Sequence, residues 1–369
     1  MSTAAATKSN AGARPSKRLS DALPDATLLG WLRDMLLIRE FEVRTMQAYS
    51  NARIGGFCHV YIGEEACAVG TLACVNPDDP VITAYRCHGH ALARGMDPKA
   101  CMAEMFGKIA GCAKGKGGSM HMFDKPHWLF GGHGIVGAQT PVGAGLAFAA
   151  KYEREVMGKG KKKVALCYFG DGALNQGSLH ESMNLAGLFH IPVIYIVENN
   201  RYSMGTEIHR GTTMADNLPK KAAAYGIEGV TIDGMDIRTI YDRFKPIVDA
   251  CRDECRPAFV EVRTYRYHGH SMSDPQKYRK KAEVEEVKER DSIDLLVAHL
   301  TEDRGALDPD ALKATQKEIK KIVRAAVQFA EDAPAPAVEP ELYSDVYLNR
   351  QPGLSPIRDY TEGAKNPLL

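Results

Sequence analysis

Two oxygen-bearing side chains are spaced so that they could hold a divalent cation. Asp171 lies in a Gly-Asp-Gly turn, and Asn200 follows 29 positions later in a Glu-Asn-Asn run. Carboxylate and amide oxygens suit Mg²⁺, which takes few protein ligands and shares the rest of its shell with ligand phosphates and water. Gly170 and Gly172 would let the backbone come close to a diphosphate. The spacing therefore predicts a magnesium site for a phosphorylated ligand.

Apolar runs on both sides of Asp171 predict the elements that position it. Residues 164–169 and 192–197 have the continuous apolar character of buried strands, and residues 175–190 between them are typical of a helix. Such a crossover joins parallel neighbouring strands. Ligands of open parallel sheets bind beyond the carboxyl ends of the strands, and Asp171 and Asn200 should therefore converge there.

Two more predicted strands bring polar groups to the same edge. Residues 81–85 precede Arg86, and residues 258–267 precede His268 and His270. Strands alternating with helical segments are typical of a parallel sheet covered on both faces. The predicted fold class is α/β, with a mostly parallel central sheet flanked by helices.

Helical patterns and a glycine-dense stretch complete the outline. Residues 27–49, 144–155, 282–300 and 309–331 have helical character, whereas residues 107–145 predict irregular backbone that closes on another group. The predicted organisation is a flexible tail over residues 1–26, one α/β domain over 27–335, and an irregular tail over 336–369 that packs on the domain or on a partner.

The composition is that of an ordinary folded protein. Hydrophobic residues make up 44% and charged residues 25% of the chain, and 47 basic against 46 acidic side chains leave a net charge of +1. That charge gives no reason to expect nucleic acid or a membrane as a partner. No apolar run approaches the ~20 residues that cross a bilayer. Nine scattered cysteines without zinc-site spacing predict reduced thiols.

Several longer segments resemble one family of enzymes. The Gly-Asp-Gly to Asn-Asn span is typical of proteins that bind thiamine diphosphate. Further matching segments lie at 56–59, 85–89, 111–122 (GCAKGKGGSMHM), 134–138 and 265–275 (YRYHGHSMSDP). Over residues 27–345 the chain resembles the alpha subunits of thiamine-diphosphate-dependent 2-oxo acid dehydrogenases. The segments 111–122 and 265–275 favour the pyruvate dehydrogenases over the branched-chain 2-oxo acid and acetoin dehydrogenases.

The resemblance implies roles for individual residues. Asp171, Asn200 and the backbone carbonyl of Tyr202 would be the magnesium ligands. His59 and His270 would be the catalytic side chains, with His59 facing the substrate. Histidines suit the proton transfers of such a reaction because their pKa lies near the operating pH. The implied cofactor contacts, besides the metal ligands, are Gly134 and Val136 along the aminopyrimidine, Gly172 and Ala173 at the turn, and Tyr85, Arg86 and His270 near the diphosphate or the reacting centre.

The resemblance also implies an activity and an assembly. The activity is oxidative decarboxylation of pyruvate, in which thiamine diphosphate supplies a nucleophilic carbon and an electron sink, and the acetyl group passes to a lipoyl group on a separate acyltransferase. In this family a glutamate of a beta subunit activates the cofactor, so an alpha-type chain should be inactive alone. The implied assembly is a tetramer of two alpha and two beta subunits, with each cofactor between an alpha and a beta subunit.

Regulation and location can be argued from two segments. Ser271 and Ser273 occupy a loop that kinases modify in mitochondrial relatives, but residues 274–279 are shorter than in those relatives and lack their second serine. Kinase control is therefore not expected. Residues 1–20 contain basic residues and no acid, a composition shared by transit peptides and disordered bacterial tails. The shortness of this tail favours a bacterial cytoplasmic enzyme over one of the mitochondrial matrix.

A dinucleotide-binding dehydrogenase is one alternative interpretation. Residues 132–137 fit the pattern G-x-G-x-x-G, which requires a strand before it and a helix after it. Pro126 and Trp128 argue against the strand, and Pro141 argues against the helix. The glycines and lysines of residues 111–117 likewise do not fit a phosphate-binding P-loop.

Two further alternatives concern catalysis itself. The pairs His88/His90 and His268/His270 could bind zinc in a metal hydrolase, which would act without thiamine diphosphate. A non-catalytic subunit that only supports a partner would keep the sheet and tolerate the loss of Asp171. A branched-chain 2-oxo acid or acetoin dehydrogenase remains the alternative within the family.

Overall fold

The chain folds around a six-stranded parallel sheet, which confirms the predicted α/β class. The computed structural model describes residues 18–338 together with 341, 344 and 345. The strand order in the sheet is β2-β1-β3-β4-β8-β7, and every neighbouring pair is parallel. A separate antiparallel pair, β5 and β6, follows β4.

The bounds of these elements are as follows. The strands are β1 (Val81–Ala84), β2 (Leu129–His133), β3 (Ala165–Gly170), β4 (Val193–Asn199), β5 (Tyr202–Ser203), β6 (Thr206–Glu207), β7 (Glu228–Asp233) and β8 (Ala258–Arg263). The helices are α1 (Asp25–Ser50), α2 (Glu65–Leu72), α3 (His88–Ala93), α4 (Pro98–Met105), α5 (Gln139–Glu155), α6 (Gly177–Leu188), α7 (Ile208–Gly211), α8 (Ile237–Glu254), α9 (Lys281–Lys288), α10 (Ser292–Ala298) and α11 (Pro309–Asp332).

The central strands are apolar because both of their faces are covered. Along β3, Leu166 and Tyr168 enter the core beneath α1, α2 and α8, whereas Cys167 and Phe169 enter the core beneath α5 and α6. Side chains of a strand alternate between the two faces, so a doubly covered strand has no polar alternation. The continuous apolar runs at β3 and β4 follow from this arrangement.

The predicted crossover is confirmed by the register of β3 and β4. These strands are parallel neighbours joined through α6, with Phe169 opposite Val197 and Gly170 opposite Glu198. The two strands therefore end within one residue of each other, and the residues that follow them, Asp171 and Asn200, leave the sheet at the same edge.

Several predicted bounds and elements differ from the structure. The glycine-dense stretch contains β2, whose glycines hide the usual strand pattern, and α5 begins at Gln139 rather than near 144. The strand predicted over 258–267 ends at Arg263. Residues 282–300 form two helices, α9 and α10, instead of one. Neither β7 nor α8 was among the predicted elements.

The start of the chain's fold lies earlier than predicted. Leu19–Ala22 forms a short 3-10 helix, and α1 begins at Asp25. The backbone N–H of Ser20 donates to Asp242 at 2.7 Å, and Arg304 pairs with Asp25 at 2.7 Å. Residues 18–26, placed in the predicted tail, are thus tied to the domain. Residues 1–17 and most of the predicted tail over 336–369 lie outside the described residues.

Two predictions from composition can be compared with the fold. All nine cysteines are free thiols, and seven of them are buried. Within the part of the chain that the structure describes, no helix combines the length and the apolar character required to span a membrane.

Candidate active site

A cavity of about 210 Å³ lies at the carboxyl edge of the sheet, between the ends of β1, β3 and β4. Nine of the residues predicted from the sequence line it: Tyr85, Arg86, Val136, Asp171, Gly172, Ala173, Asn200, Tyr202 and His270. The predicted residues Gly134 and His59 do not line the cavity. The structure therefore brings most of the predicted set to one place.

Asp171 is a buried carboxylate with little to compensate its charge. It opens a short 3-10 turn directly after β3 and is 5% exposed. Its Oδ2 accepts a hydrogen bond from Ser203 Oγ at 3.4 Å, which is long for such a bond. Burial raises the pKa of Asp171 to about 6, although the nearby charge of Arg266 acts in the opposite direction. A bound cation would relieve this unfavourable burial.

Asn200 and Tyr202 direct two oxygens at one cationic group. Arg266 Nη1 donates to Asn200 Oδ1 at 3.0 Å and to the backbone carbonyl of Tyr202 at 2.5 Å. Arg266 is 1% exposed and lies in the cavity wall beside Asp171. Two neutral oxygens that already face a positive charge, next to a poorly compensated carboxylate, are the donor set that fits a hard divalent cation. The residues present therefore fit magnesium.

Arg86 is held by backbone carbonyls rather than left free. Its Nη1 donates to the carbonyl of Val60 at 2.7 Å and its Nη2 to the carbonyl of His270 at 2.9 Å, while its Nε lies 3.5 Å from Glu64 Oε2. Its charge faces the cavity, and its two recorded hydrogen bonds hold the guanidinium in place while each Nη keeps a second N–H. Arg86 is thus placed to act on an anionic ligand through its field.

Tyr85, His59 and His270 form an aromatic cluster beside the cavity. The Tyr85 hydroxyl lies 3.4 Å from His270 Nε2, and the His59 ring centroid lies 4.5 Å from that of Tyr85 and 5.1 Å from that of His270. The Nδ1 atoms of His59 and His270 are buried and have no hydrogen-bond partner among the described residues. Each ring therefore keeps one nitrogen without a hydrogen bond, and of the two residues only His270 lines the cavity.

The expectation that these histidines titrate near neutral pH is wrong for this structure. Burial, together with the positive charge of Arg86, lowers the pKa of His59 to about 2 and that of His270 to about 3. Both imidazoles are therefore neutral at physiological pH. They can accept or donate hydrogen bonds as neutral rings, but they do not carry a proton ready for transfer in the free chain.

The low pKa of His59 predicts a pH-dependent stability difference. Below pH 6.5 the unfolded chain protonates His59, whereas the folded chain does not. The free energy of unfolding is therefore unaffected by this residue above pH 6.5 and decreases as the pH falls below it. The loss is at most about 1.4 kcal/mol per pH unit. Relative to His59→Gln, the wild type should therefore lose thermal stability between pH 7 and pH 5. A difference in thermal midpoint that does not change with pH would contradict the buried, neutral state.

The glycine-dense stretch closes on a carboxylate of its own chain. Glu104, fully buried in α4, accepts backbone N–H bonds from Ala113 at 2.7 Å and Gly115 at 2.9 Å on Oε2, and from Gly117 at 2.8 Å and Gly118 at 3.0 Å on Oε1. The loop thus forms an anion-binding nest whose anion is internal. The sequence predicted the closure but not the partner.

This nest supports the position of His59. Ser119 follows it directly, and its Oγ accepts from the backbone N–H of His59 at 3.3 Å and lies 2.8 Å from His88 Nε2.

We expect Glu104→Gln to destabilise the protein by about 2–4 kcal/mol, because an amide cannot accept from all four N–H groups. Amide hydrogen exchange across 113–118 should accelerate, whereas the exposed control Glu153→Gln should leave it unchanged. Unchanged protection in Glu104→Gln would contradict this role.

Gly134, the remaining predicted contact, lies just outside the cavity at the end of β2. A Cβ there would come 3.1 Å from His121 Cε1, a tight contact that favours glycine. Val136, two residues on, lines the cavity and is 41% exposed.

Sequence reasoning missed several residues of the site. Glu64, Gln139, Glu198, Ser203, Met204 and Arg266 line the cavity but were given no role. Glu198 belongs to the Glu-Asn-Asn run and Arg266 to the segment 265–275. Both could therefore have been predicted as site residues from their position within these motifs. No local pattern distinguishes Glu64, which enters the site from the segment before α2.

Comparison with known protein families shows to which family the chain belongs. The sequence profile described as "Dehydrogenase E1 component" matches residues 33–339, which is most of the chain. The chain belongs to the dehydrogenase E1 component family. This family has a thiamine-diphosphate-binding fold, in agreement with the predicted resemblance.

Individual relatives cover most of their own length and most of this chain. A protein of Rhizobium meliloti is 50% identical over 317 residues, which cover 86% of this chain and 88% of the relative. A protein of Rickettsia prowazekii is 46% identical over 316 residues, covering 86% and 94%. Both are named pyruvate dehydrogenase E1 component subunit alpha. The somatic, mitochondrial form of this subunit from Bos taurus is 41% identical over 342 residues, covering 91% and 85%.

The dinucleotide-binding alternative fails for a different reason from the one expected. Contrary to the prediction, β2 runs into the glycine motif at 132–137, and α5 follows it with Pro141 tolerated in the first turn. However, β2 is an edge strand, whereas the dinucleotide motif follows a central one. Membership of the dehydrogenase E1 family agrees with this topology.

The metal hydrolase alternative receives no support from the histidine pairs. His88 Nδ1 lies 3.0 Å from Glu42, and His90 Nε2 lies 3.1 Å from Glu198, so the two rings have different partners. Among the described residues, no group of three or more histidine, cysteine, aspartate or glutamate side chains is arranged to hold a metal ion.

Proposed function

We propose that this chain is the alpha subunit of a pyruvate dehydrogenase E1 component. Its activity is the thiamine-diphosphate- and magnesium-dependent oxidative decarboxylation of pyruvate, with transfer of the acetyl group to a lipoyl group of an acyltransferase component. The observation that carries the proposal is the convergence of Asp171, Asn200 and Tyr202 at the carboxyl edge of β3 and β4. The names of the bacterial and mitochondrial relatives support the same activity.

The metal would be held by one charged and two neutral oxygens. Asp171 would supply its carboxylate, Asn200 its Oδ1 and Tyr202 its backbone carbonyl, and phosphate oxygens and water would complete the shell. Support comes from the burial of Asp171 and from the shared contact of the other two oxygens with Arg266. Gly172 and Ala173 would bring backbone to the diphosphate, and Arg86 would offset its charge from the cavity wall.

Residues of this chain would also prepare the reacting centre. When bound, thiamine diphosphate supplies a nucleophilic carbon and an electron sink for decarboxylation. His270 and Tyr85 would orient groups at the cavity, and His59, whose ring packs against both, would be the substrate-side histidine although it does not line the cavity of the free chain. Gly134 and Val136 would border the aminopyrimidine. The neutrality of both histidines makes them positioning and hydrogen-bonding groups in the free chain.

A second chain would complete the site. The cavity of about 210 Å³ is smaller than the ~300 Å³ at which ordinary ligand pockets begin, which fits a cofactor shared with a partner. Large apolar side chains are exposed at the cavity and next to site residues in sequence: Met204, which lines it, at 65%, Ile135, which precedes Val136, at 75%, and Phe57, two residues before His59, at 65%. Large exposed apolar side chains of this kind are typical of a protein interface. A beta subunit would cover them and supply the activating glutamate, in a tetramer of two alpha and two beta subunits.

A second apolar surface supports an extensive assembly. Along α5 the side chains of Val142, Phe148 and Tyr152 are each about half exposed, and Leu188 at the end of the neighbouring α6 and Phe189 directly after it are exposed as well. Lipoyl acyltransferase would be a further partner of the assembled enzyme.

The bacterial relatives at 46–50% identity support a cytoplasmic enzyme over a mitochondrial one.

A substrate panel tests the proposed activity against the alternatives in the family. The chain co-expressed with its beta subunit would be stripped of cofactor, reloaded with thiamine diphosphate and Mg²⁺, and given pyruvate, branched-chain 2-oxo acids and acetoin. The proposal expects pyruvate to have the highest kcat/KM. Preference for a branched-chain substrate or acetoin would refute the assignment to pyruvate, and no turnover of any would favour a supporting role.

A further inference from the structure

A buried carboxylate that no sequence motif singled out lies against the candidate metal site. Glu64 is 1% exposed and immediately precedes α2. Its Oε1 accepts a hydrogen bond from Asn200 Nδ2 at 3.1 Å, and its Oε2 lies 3.5 Å from Arg86 Nε. Glu64 therefore commits one oxygen to a side chain whose other end faces the metal position.

The direction of the Asn200 amide matters for metal binding. An amide presents an oxygen at one end and an NH₂ group at the other, and only the oxygen can bind a cation. Here Oδ1 faces Arg266 Nη1 at 3.0 Å, on the side to which the Tyr202 carbonyl also points. If the amide were reversed, its NH₂ group would face the N–H of Arg266 and its oxygen would face the carboxylate oxygen of Glu64. Both contacts would then be unfavourable. The contacts at both ends thus fix one orientation.

We propose that Glu64 is a positioning residue for the metal, acting through Asn200. By accepting from Nδ2, it holds Oδ1 toward the Asp171 side of the cavity. Groups that orient metal ligands in this way affect metal affinity by about 10- to 100-fold. The inference rests on the proposed function, because it takes the cation between Asp171 and Asn200 as given.

The backbone around Glu64 is fixed before any ligand binds. Gly63 has a φ of +99°, and a Cβ there would lie 2.3 Å from the carbonyl oxygen of Tyr265. The N–H of Tyr267 donates to the Ile62 carbonyl at 3.0 Å, and Glu65 on the other side is paired with Arg39. Glu64 is therefore presented from a rigid segment, as a positioning group must be.

A role as an ion-pair partner of Arg86 would be the structural alternative. Arg86 is, however, anchored independently, because two of its nitrogens donate to the carbonyls of Val60 and His270. The 3.5 Å contact with Glu64 is longer than either of these bonds. Loss of Glu64 should leave Arg86 in place, so its effect should be seen at the metal.

The test measures Mg²⁺-dependent binding of thiamine diphosphate rather than turnover. In the co-expressed alpha–beta complex, Mg²⁺ is titrated at fixed thiamine diphosphate, and binding is followed by calorimetry or intrinsic fluorescence. Glu64→Leu should raise the Mg²⁺ concentration for half-maximal binding by about 10- to 100-fold. Glu64→Gln keeps an acceptor for Asn200 Nδ2 and should stay close to wild type. Equal damage by both variants would overturn the proposal.

A second pair of variants keeps the test valid if Glu64→Leu fails to fold. Asn200→Asp places a carboxylate against that of Glu64 and should weaken Mg²⁺ binding. Adding Glu64→Gln supplies an NH₂ donor to the new carboxylate and should recover at least about tenfold of the loss. Strictly additive effects would show that the two positions are not coupled and would overturn the proposal.

Binding to the wild-type complex distinguishes a wrong function from a wrong role of Glu64. A wild-type complex that binds no thiamine diphosphate with Mg²⁺ refutes the proposed function. A wild-type complex that binds it normally, alongside a Glu64→Leu variant with unchanged Mg²⁺ dependence, refutes only the role of Glu64.

Discussion

Asp171→Asn in the assembled alpha–beta enzyme is expected to abolish Mg²⁺-dependent binding of thiamine diphosphate and to lower pyruvate decarboxylation by about a thousandfold or more. Asp171 is the one charged oxygen donor of the candidate metal set. A metal ion contributes several kcal/mol of charge stabilisation, and each 1.4 kcal/mol corresponds to a factor of ten. An amide of the same shape cannot supply the charge. Binding is measured by calorimetry and turnover by release of carbon dioxide from pyruvate.

Stability measurements separate this loss from misfolding. Burial raises the pKa of Asp171 to about 6, so above pH 6 the charged carboxylate is unfavourable in the free folded protein. Asp171→Asn should therefore retain or increase the thermal midpoint at pH 7.5 without ligands. Asp216→Asn is a matched control, because the Asp216 side chain is 93% exposed and contacts His209 at the surface. Full activity of Asp171→Asn would contradict the magnesium assignment and favour a supporting subunit.

The second large effect concerns the isolated chain. Purified without a beta subunit, the chain should turn over pyruvate at least about a thousandfold more slowly than the complex, because activation of the cofactor needs a positioned acid–base group and an enclosed site. Among the described residues, Phe57, Ile135 and the cavity-lining Met204 are exposed. The measurement compares the chain alone, the beta subunit alone and the co-expressed complex at equal cofactor and Mg²⁺ concentrations.

Reconstitution provides the control for this comparison. Mixing the separately purified subunits should restore activity with a dependence on protein concentration, as expected when two chains form one site. Turnover by the isolated chain at the rate of the complex would contradict the two-subunit proposal, whatever the cofactor requirement proves to be.

The central part of the site was predictable because it depends on local patterns. The strands before Asp171 and Asn200 are continuous apolar runs, and the helix between them has a length that permits a parallel crossover. Adjacent parallel strands end at the same edge of a sheet, so the proximity of these two side chains follows from topology alone. The register that places Gly170 opposite Glu198 agrees with this reasoning.

The rest of the site depends on contacts between residues far apart in sequence. Glu64 meets Asn200 across 136 positions and Arg266 meets it across 66, and no local spacing predicts either contact. Glu104 was hidden for the same reason, since a helix carboxylate gives no sign that it will organise a loop. The low pKa values of His59 and His270 arise from burial near Arg86, which only the packed structure reveals.

The position of the bound cation is the decisive measurement for the proposed magnesium site. Crystals of the alpha–beta complex grown with thiamine diphosphate and Mn²⁺, a substitute for Mg²⁺ with a usable anomalous signal, would show where the cation binds. We expect an anomalous peak within bonding distance of the Asp171 carboxylate, Asn200 Oδ1 and the Tyr202 carbonyl, with the diphosphate completing the shell. A cofactor bound with its metal away from Asp171 and Asn200 would contradict this expectation.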